Sequence, residues 1–173
     1  MASIIGFPNP VNETSARVVA GGVVAMAGAT IALDQPWMLV PLTYGFAARV
    51  LAGPKLSPLG QFATRVVTPR LKLDHRFVPG PPKRLAQGLG LAMSSTALML
   101  AYRGHKRASY RVLGGLLGAA SLEAFFGICI ACRAFPLLMK AGIIPEDVCR
   151  ECADIWSKDK RANDDVAVEA NVA

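Results

Sequence analysis

All four cysteines of this 173-residue chain fall in two C-x-x-C pairs, Cys129–Cys132 and Cys149–Cys152, with 16 residues between them. Thiols at this spacing can cycle between dithiol and disulfide, pass on a sulfane sulfur, or bind a metal as thiolates. The C-x2-C-x16-C-x2-C pattern also fits a zinc site. Zinc held by Cys129, Cys132, Cys149 and Cys152 is therefore the alternative to thiol exchange. Other chemistries lack residues. C-I-A-C-R has no histidine for covalent haem, and His75 and His105 both fall in loops. Neither a phosphate-binding glycine motif nor a nucleophile elbow occurs.

Glu123 is the other candidate. It lies inside an apolar run that begins near Val112, about 17 Å along a helix rising 1.5 Å per residue. A carboxyl at that depth is costly and marks a functional position. Gln87, Ser94 and Ser95 on the preceding run are its expected hydrogen-bond partners. The first cysteine pair is expected at the C-terminal end of the same helix. There the dipole opposes a thiolate and Arg133 partly offsets it. Cys149 is expected in a helix first turn, opposed by Glu146, Asp147 and Glu151. On a regular helix, residues three apart have Cβ atoms about 5–6 Å apart. A disulfide requires about 3.8 Å. Closing Cys129 to Cys132 is thus expected to distort the helix end near Pro136, giving an exchangeable, oxidising couple.

The elements that must position these groups are apolar runs at about 18–33, 37–51, 85–102 and 112–134. A spanning helix needs about 20 apolar residues, in a range of roughly 17–25. The last two runs satisfy this, and the first two do so with flanking residues. The expected fold is all-α: an integral membrane four-helix bundle with a short cytoplasmic tail helix. Its membrane domain covers 1–145, the C-x-x-C tail helix 146–158 and a disordered tail 159–173. The small-residue steps Gly21/Ala25, Gly88/Ala92 and Gly114/Gly118 are expected to let helices approach closely. The proline-rich middle loop leaves room for one short surface helix over 59–67, carrying Arg65. No cleavable leader is visible in the N-terminal residues.

Composition agrees. The chain is 53% hydrophobic and 18% charged, with net charge +7, against about 25% charged in soluble domains. The cations flank apolar runs and form no stripe, which argues for anionic lipid and against nucleic acid. With four spans and the N-terminus inside, 15 of the 19 Lys and Arg residues lie on the cytoplasmic side. The basic third turn, with Arg103, Lys106, Arg107 and Arg111, is the discordant feature.

G-F-P-N-P-V-N-E-T-S-A-R (Gly6–Arg17), L-S-P-L-G, T-P-R-L, R-L-A-Q-G-L-G and E-A-F-F-G-I-C-I-A-C together resemble the bacterial membrane proteins grouped as domain of unknown function 4395. The likeness covers roughly residues 6–135. It implies a four-helix protein of the bacterial plasma membrane with a link to sulfur or thiol metabolism. It carries over no catalytic role. Locally, Asn9 is expected to cap a helix with Pro10 at its first position, and Glu13 to pair with Arg17.

The leading expectation is a membrane-embedded thiol protein. Cys129 and Cys132 exchange electrons or sulfane sulfur with a soluble thioredoxin-like or rhodanese-like partner, and Cys149 and Cys152 act as a relay. The alternatives are a scaffold with a four-cysteine zinc site and a transporter of a small sulfur species with Glu123 on its path.

Overall fold

The computed structural model describes residues 11–70, 77, 78 and 80–143. Among them the chain is helical apart from one antiparallel two-residue pair, β1 (Val11–Asn12) with β2 (Phe77–Val78). Helix α1 (Glu13–Ala32) starts where Asn12, in extended conformation, accepts the Thr14 N–H on its Oδ1 at 2.9 Å. That satisfies one orphan amide of the first turn, and Glu13 complements the dipole. The capping asparagine is therefore Asn12 and not Asn9; Asn9 and Pro10 lie outside the described residues. The helix ends at Leu33, and Asp34 takes a left-handed φ of 56°, a conformation Asp tolerates better than most residues.

A 3-10 turn (Pro36–Met38) leads into α2 (Leu39–Ala52). The middle segment folds as α3 (Pro58–Phe62), a π turn (Ala63–Val67) and α4 (Thr68–Arg70). The short helix expected at the surface is instead packed on α1. Gly60 and Ala63 are buried, and Ser15 Oγ lies 2.9 Å from Thr68 Oγ1. Arg65 does point outward. Helix α5 (Gly80–Tyr102) and helix α6 (Lys106–Phe126) follow. The run expected as one helix over 112–134 is interrupted: α6 stops at Phe126 and α7 (Ile130–Lys140) begins after Gly127, Ile128 and Cys129.

The long helices pack in the order α2, α5, α6, α1. Hydrogen bonds mark which ends meet. Arg17 near the start of α1 reaches the last carbonyls of α6, and Arg49 near the end of α2 reaches Gln87 near the start of α5. Neighbours are thus antiparallel. The core consists of Val23 and Ala27 from α1, Leu39, Leu42 and Phe46 from α2, Ala97 from α5, and Leu113, Leu116 and Ala120 from α6. Phe46 fills the space a Cβ would take at Gly90, so α2 and α5 meet there. The small-residue steps read from sequence do not make the contacts: Gly21, Gly88, Gly114 and Gly118 each face open space.

Large apolar side chains also lie on the outside, among them Val40, Tyr44, Leu51, Leu89, Met99 and Phe125. Among the described residues two helices, α1 and α5, are long and apolar enough to cross a membrane, or three if α6 and α7 count as one broken span. The chain divides into two compact units, 1–132 and 133–173. In the second, α7 closes at Gly142, whose φ of 72° suits the left-handed end of a helix. The expected tail helix 146–158 and disordered tail 159–173 lie outside the described residues.

At the end opposite the α1 N-terminus, Asp34 bonds to Lys106 Nζ and accepts the Tyr110 hydroxyl at 2.6 Å. This carboxylate thus ties the α1–α2 turn to the first turn of α6. Chiefly the Lys106 hydrogen bond, then that of Tyr110, holds its carboxyl below the usual value of 3.8. Depressed in the folded state, Asp34 contributes stability above the unfolded-state pKa of about 3.9, and that contribution disappears as pH falls through the folded value. Thermal melts in neutral detergent from pH 6 down to pH 2 should show a loss of Tm below about pH 4 that is smaller in Asp34→Asn. Parallel curves for the two proteins would refute this link.

Candidate functional site

The break between α6 and α7 separates Glu123, on α6, from the first cysteine pair. Gly127 has a left-handed φ of 68°, its N–H bonds to the Glu123 carbonyl, and the Ile128 N–H bonds to the Leu122 carbonyl. This pair of bonds closes a helix around a left-handed glycine. A second device adds to it from another helix. The Arg17 guanidinium donates through Nε and Nη2 to the Ala124 carbonyl at 3.3 Å, and through Nη2 to the Phe125 carbonyl at 3.0 Å. Its charge complements the negative end of the α6 dipole. Glu13 Oε1 and the Arg17 guanidinium both lie beside Gly127, where an added Cβ would sit 3.7 Å from each. Glu13 and Arg17 thus both lie beside the break, and the expected ion pair between them does not form, since the Arg17 guanidinium bonds to the α6 carbonyls.

Immediately after the break, Cys129 precedes the first residue of α7, and Cys129 and Cys132 are joined by a disulfide with Cα atoms 5.2 Å apart. Both expectations about their setting are corrected. The pair sits at the start of a helix, not at the C-terminal end of one. The bridge therefore closes across the entry to α7, because Cys129 is outside the helix and free of its regular spacing. The Cys132 N–H donates to Cys129 Sγ at 3.3 Å, as a third-residue amide does to a capping side chain. The unpaired amides of a helix start favour negative charge, so this position favours thiolate on Cys129 when the bridge opens. Cys129 is 8% exposed, and Cys132 is the more exposed of the two. Pro136 lies inside α7, not beyond a helix end. Lacking an N–H, it cannot donate to the Cys132 carbonyl.

Glu123 does not use the partners expected for it. Its Oε1 accepts from Lys83 Nζ at 2.6 Å, with the two side chains 15% and 8% exposed. Gln87 instead takes the Arg49 Nε–H at 2.8 Å, and Ser94 bonds back to the Leu91 carbonyl at 3.1 Å. Arg49 completes its setting with Ser57 Oγ at 3.2 Å and the Phe46 ring centroid at 4.6 Å. Lys83, Arg49 and Arg17 are the members of the site that sequence reasoning missed. In the sequence Lys83 and Arg49 have no role beyond their charge, and Arg17 has only a surface pairing with Glu13. The signal available for Lys83 was a lone intramembrane acid with no cation assigned to it.

Cys149 and Cys152 lie outside the described residues, and among the described residues no cluster of metal-ligating side chains forms.

A buried ion pair resists loss of one member more than loss of both. Removing one partner leaves an uncompensated charge at a cost of roughly 3–5 kcal/mol, whereas apolar replacement of both is often neutral. Lys83→Met should therefore lower the melting temperature in detergent sharply, and Lys83→Met with Glu123→Leu should restore most of it. A double variant as unstable as the sum of the singles would show that the pair is not coupled.

No curated protein and no solved structure matches this chain. One family model does, over residues 11–140, about three quarters of the sequence. That span takes in the α6–α7 break, the Cys129–Cys132 bridge and the Lys83–Glu123 pair, and by it the chain belongs to the family described as domain of unknown function DUF4395.

Proposed function

We propose that the protein is a membrane-embedded thiol protein whose Cys129–Cys132 pair exchanges electrons or sulfane sulfur with a soluble thioredoxin-like or rhodanese-like partner. The observation that carries this reading is the bridge at the start of α7, with Cys129 Sγ accepting the Cys132 N–H. Relative exposure assigns the order of attack. A partner thiolate attacks the more exposed Cys132, the bridge breaks, and its electron pair leaves on Cys129 as thiolate. A leaving sulfur that holds charge well leaves faster, and the helix start holds that charge. The partner's second thiol then attacks its own sulfur in the mixed disulfide. This releases Cys132, oxidises the partner and leaves two electrons on this chain. With sulfane sulfur, the reduced Cys132 thiolate takes the terminal sulfur of a partner persulfide and the partner thiolate departs. Cys129 then attacks Cys132, releasing hydrosulfide and restoring the bridge. Cys149 and Cys152 serve as the relay pair.

We place the working end in the cytoplasm, with α1, α2, α5 and α6 each crossing the bacterial plasma membrane and both termini inside. Arg17, Arg49, Lys83, Arg84 and Arg133 lie at or next to the end carrying the bridge. The discordant basic turn is eased by Asp34, which pairs with Lys106. In intact cells, a single cysteine at Val166 in an otherwise cysteine-free chain should stay unlabelled by an impermeant maleimide until lysis. Labelling from outside would overturn this orientation.

The order of attack has its own test. In a background lacking Cys149 and Cys152, Cys129→Ser should capture more mixed disulfide or persulfide than Cys132→Ser, read by intact mass. The reverse ranking would move the attack to Cys129. Capture by neither would end the thiol-exchange reading, and zinc that co-purifies with the reduced protein and disappears in Cys149→Ser would favour the scaffold in its place.

A further inference from the structure

A cleft of about 360 Å³ opens between α1, α2 and α3, and no cysteine lines it. Its size falls in the range of small-molecule pockets, roughly 300–1,000 Å³. The apolar part of its wall includes Val23, Met26, Leu42, Leu59 and Phe62. Of its charged and hydroxyl groups, Arg49 and Ser57 at one end are 4% and 0% exposed, whereas Tyr44, further along α2, is exposed. The cleft is polarised along its length. Pro41 lies eight residues before Arg49 on α2, about 12 Å away along the helix axis. Met26 of the antiparallel α1 lies towards that far end.

Arg49 is incompletely satisfied. Its Nε donates to Gln87 and its Nη1 to Ser57, but among the described residues Nη2 is buried with no acceptor. Buried donors almost always have partners, and an unpaired charged one is especially costly. Glu123 is paired with Lys83, so Arg49 has no carboxylate of its own among the described residues. A buried cation with an unpaired donor, at one end of a largely apolar cleft, describes the complement of its occupant.

We propose that this cleft binds a single-chain monoanionic amphiphile, with its head group on Arg49 and Ser57 and its chain running towards Met26 and Pro41. A free fatty acid carries this chemistry. A bilayer phospholipid shares the monoanionic head but brings two chains.

The test is equilibrium binding of radiolabelled palmitate to the full chain in neutral detergent. Binding should saturate at one palmitate per chain. Hexadecanol, which has the same chain without the charge, should compete at least about ten-fold more weakly, the loss expected for one charge-assisted contact. Phosphatidylglycerol should also compete more weakly than palmitate. Met26→Trp, which fills the apolar end without touching Arg49, should weaken palmitate about ten-fold at unchanged Tm. Arg49→Gln should reduce palmitate to the level of hexadecanol. Equal competition by hexadecanol on the unaltered protein would overturn the proposal without any variant. So would non-saturable uptake, preference for phosphatidylglycerol, or full palmitate binding by Met26→Trp.

Discussion

Taking a charged group out of water requires a partner of opposite sign close at hand, and this constraint shapes the end of the molecule that carries the cysteines. Glu123 and Lys83 meet at 2.6 Å between α6 and α5, which fixes how far along each other these helices lie. The same glutamate offers its backbone carbonyl to Gly127, so the residue that anchors α6 laterally also takes part in ending it. Where α6 ends determines where α7 begins. Where α7 begins determines that Cys129 stands outside a helix and Cys132 inside one. The disulfide thus inherits its position from an ion pair that touches neither sulfur.

A second polar assembly lies at the same end. Arg49 joins α2 to α5 through Gln87 and to the start of α3 through Ser57. Apolar contact, as between Phe46 and Gly90, draws the helices together without direction. The polar groups supply the registry. On the opposite end Asp34 does comparable work at the surface, joining α1 to α6 through Lys106 and Tyr110.

The apolar runs made four long helical segments legible, and the C-x-x-C spacing marked the residues around which the break is built. What the sequence concealed has physical causes. Lys83, Arg84, Lys106 and Arg107 occupy helix first turns, so a reading that stops at charge places α5 and α6 too short at their starts. Gly127 stands in an apolar context, F-F-G-I-C, where glycine reads as an ordinary residue of a membrane helix. Its role depends on a φ that no composition reveals. The outward-facing Gly21, Gly88, Gly114 and Gly118 show the converse. Glycines spaced four apart share a face of a helix, but the spacing does not say which neighbour that face meets, or whether it meets one. The partner of Glu123 was hidden for a similar reason. Sequence proximity favours Gln87, Ser94 and Ser95 as apolar-run neighbours, whereas the length of the lysine side chain lets Lys83 reach it from the helix start.

The Arg17 clamp bears on the order in which the protein is assembled. Its hydrogen bonds to Ala124 and Phe125 span 107 and 108 residues of chain. During synthesis α1 is made first, and its guanidinium has no α6 carbonyls to meet until nearly three quarters of the polypeptide has emerged. The entry to α7 is completed from a distance, by a side chain that waits through the making of α2, α3, α4 and α5. A nascent chain halted before Ala124 holds all of α1, α2 and α5, yet lacks both the sulfurs and the carbonyls that Arg17 meets. The cysteine pair is thereby made only after α1, α2 and α5.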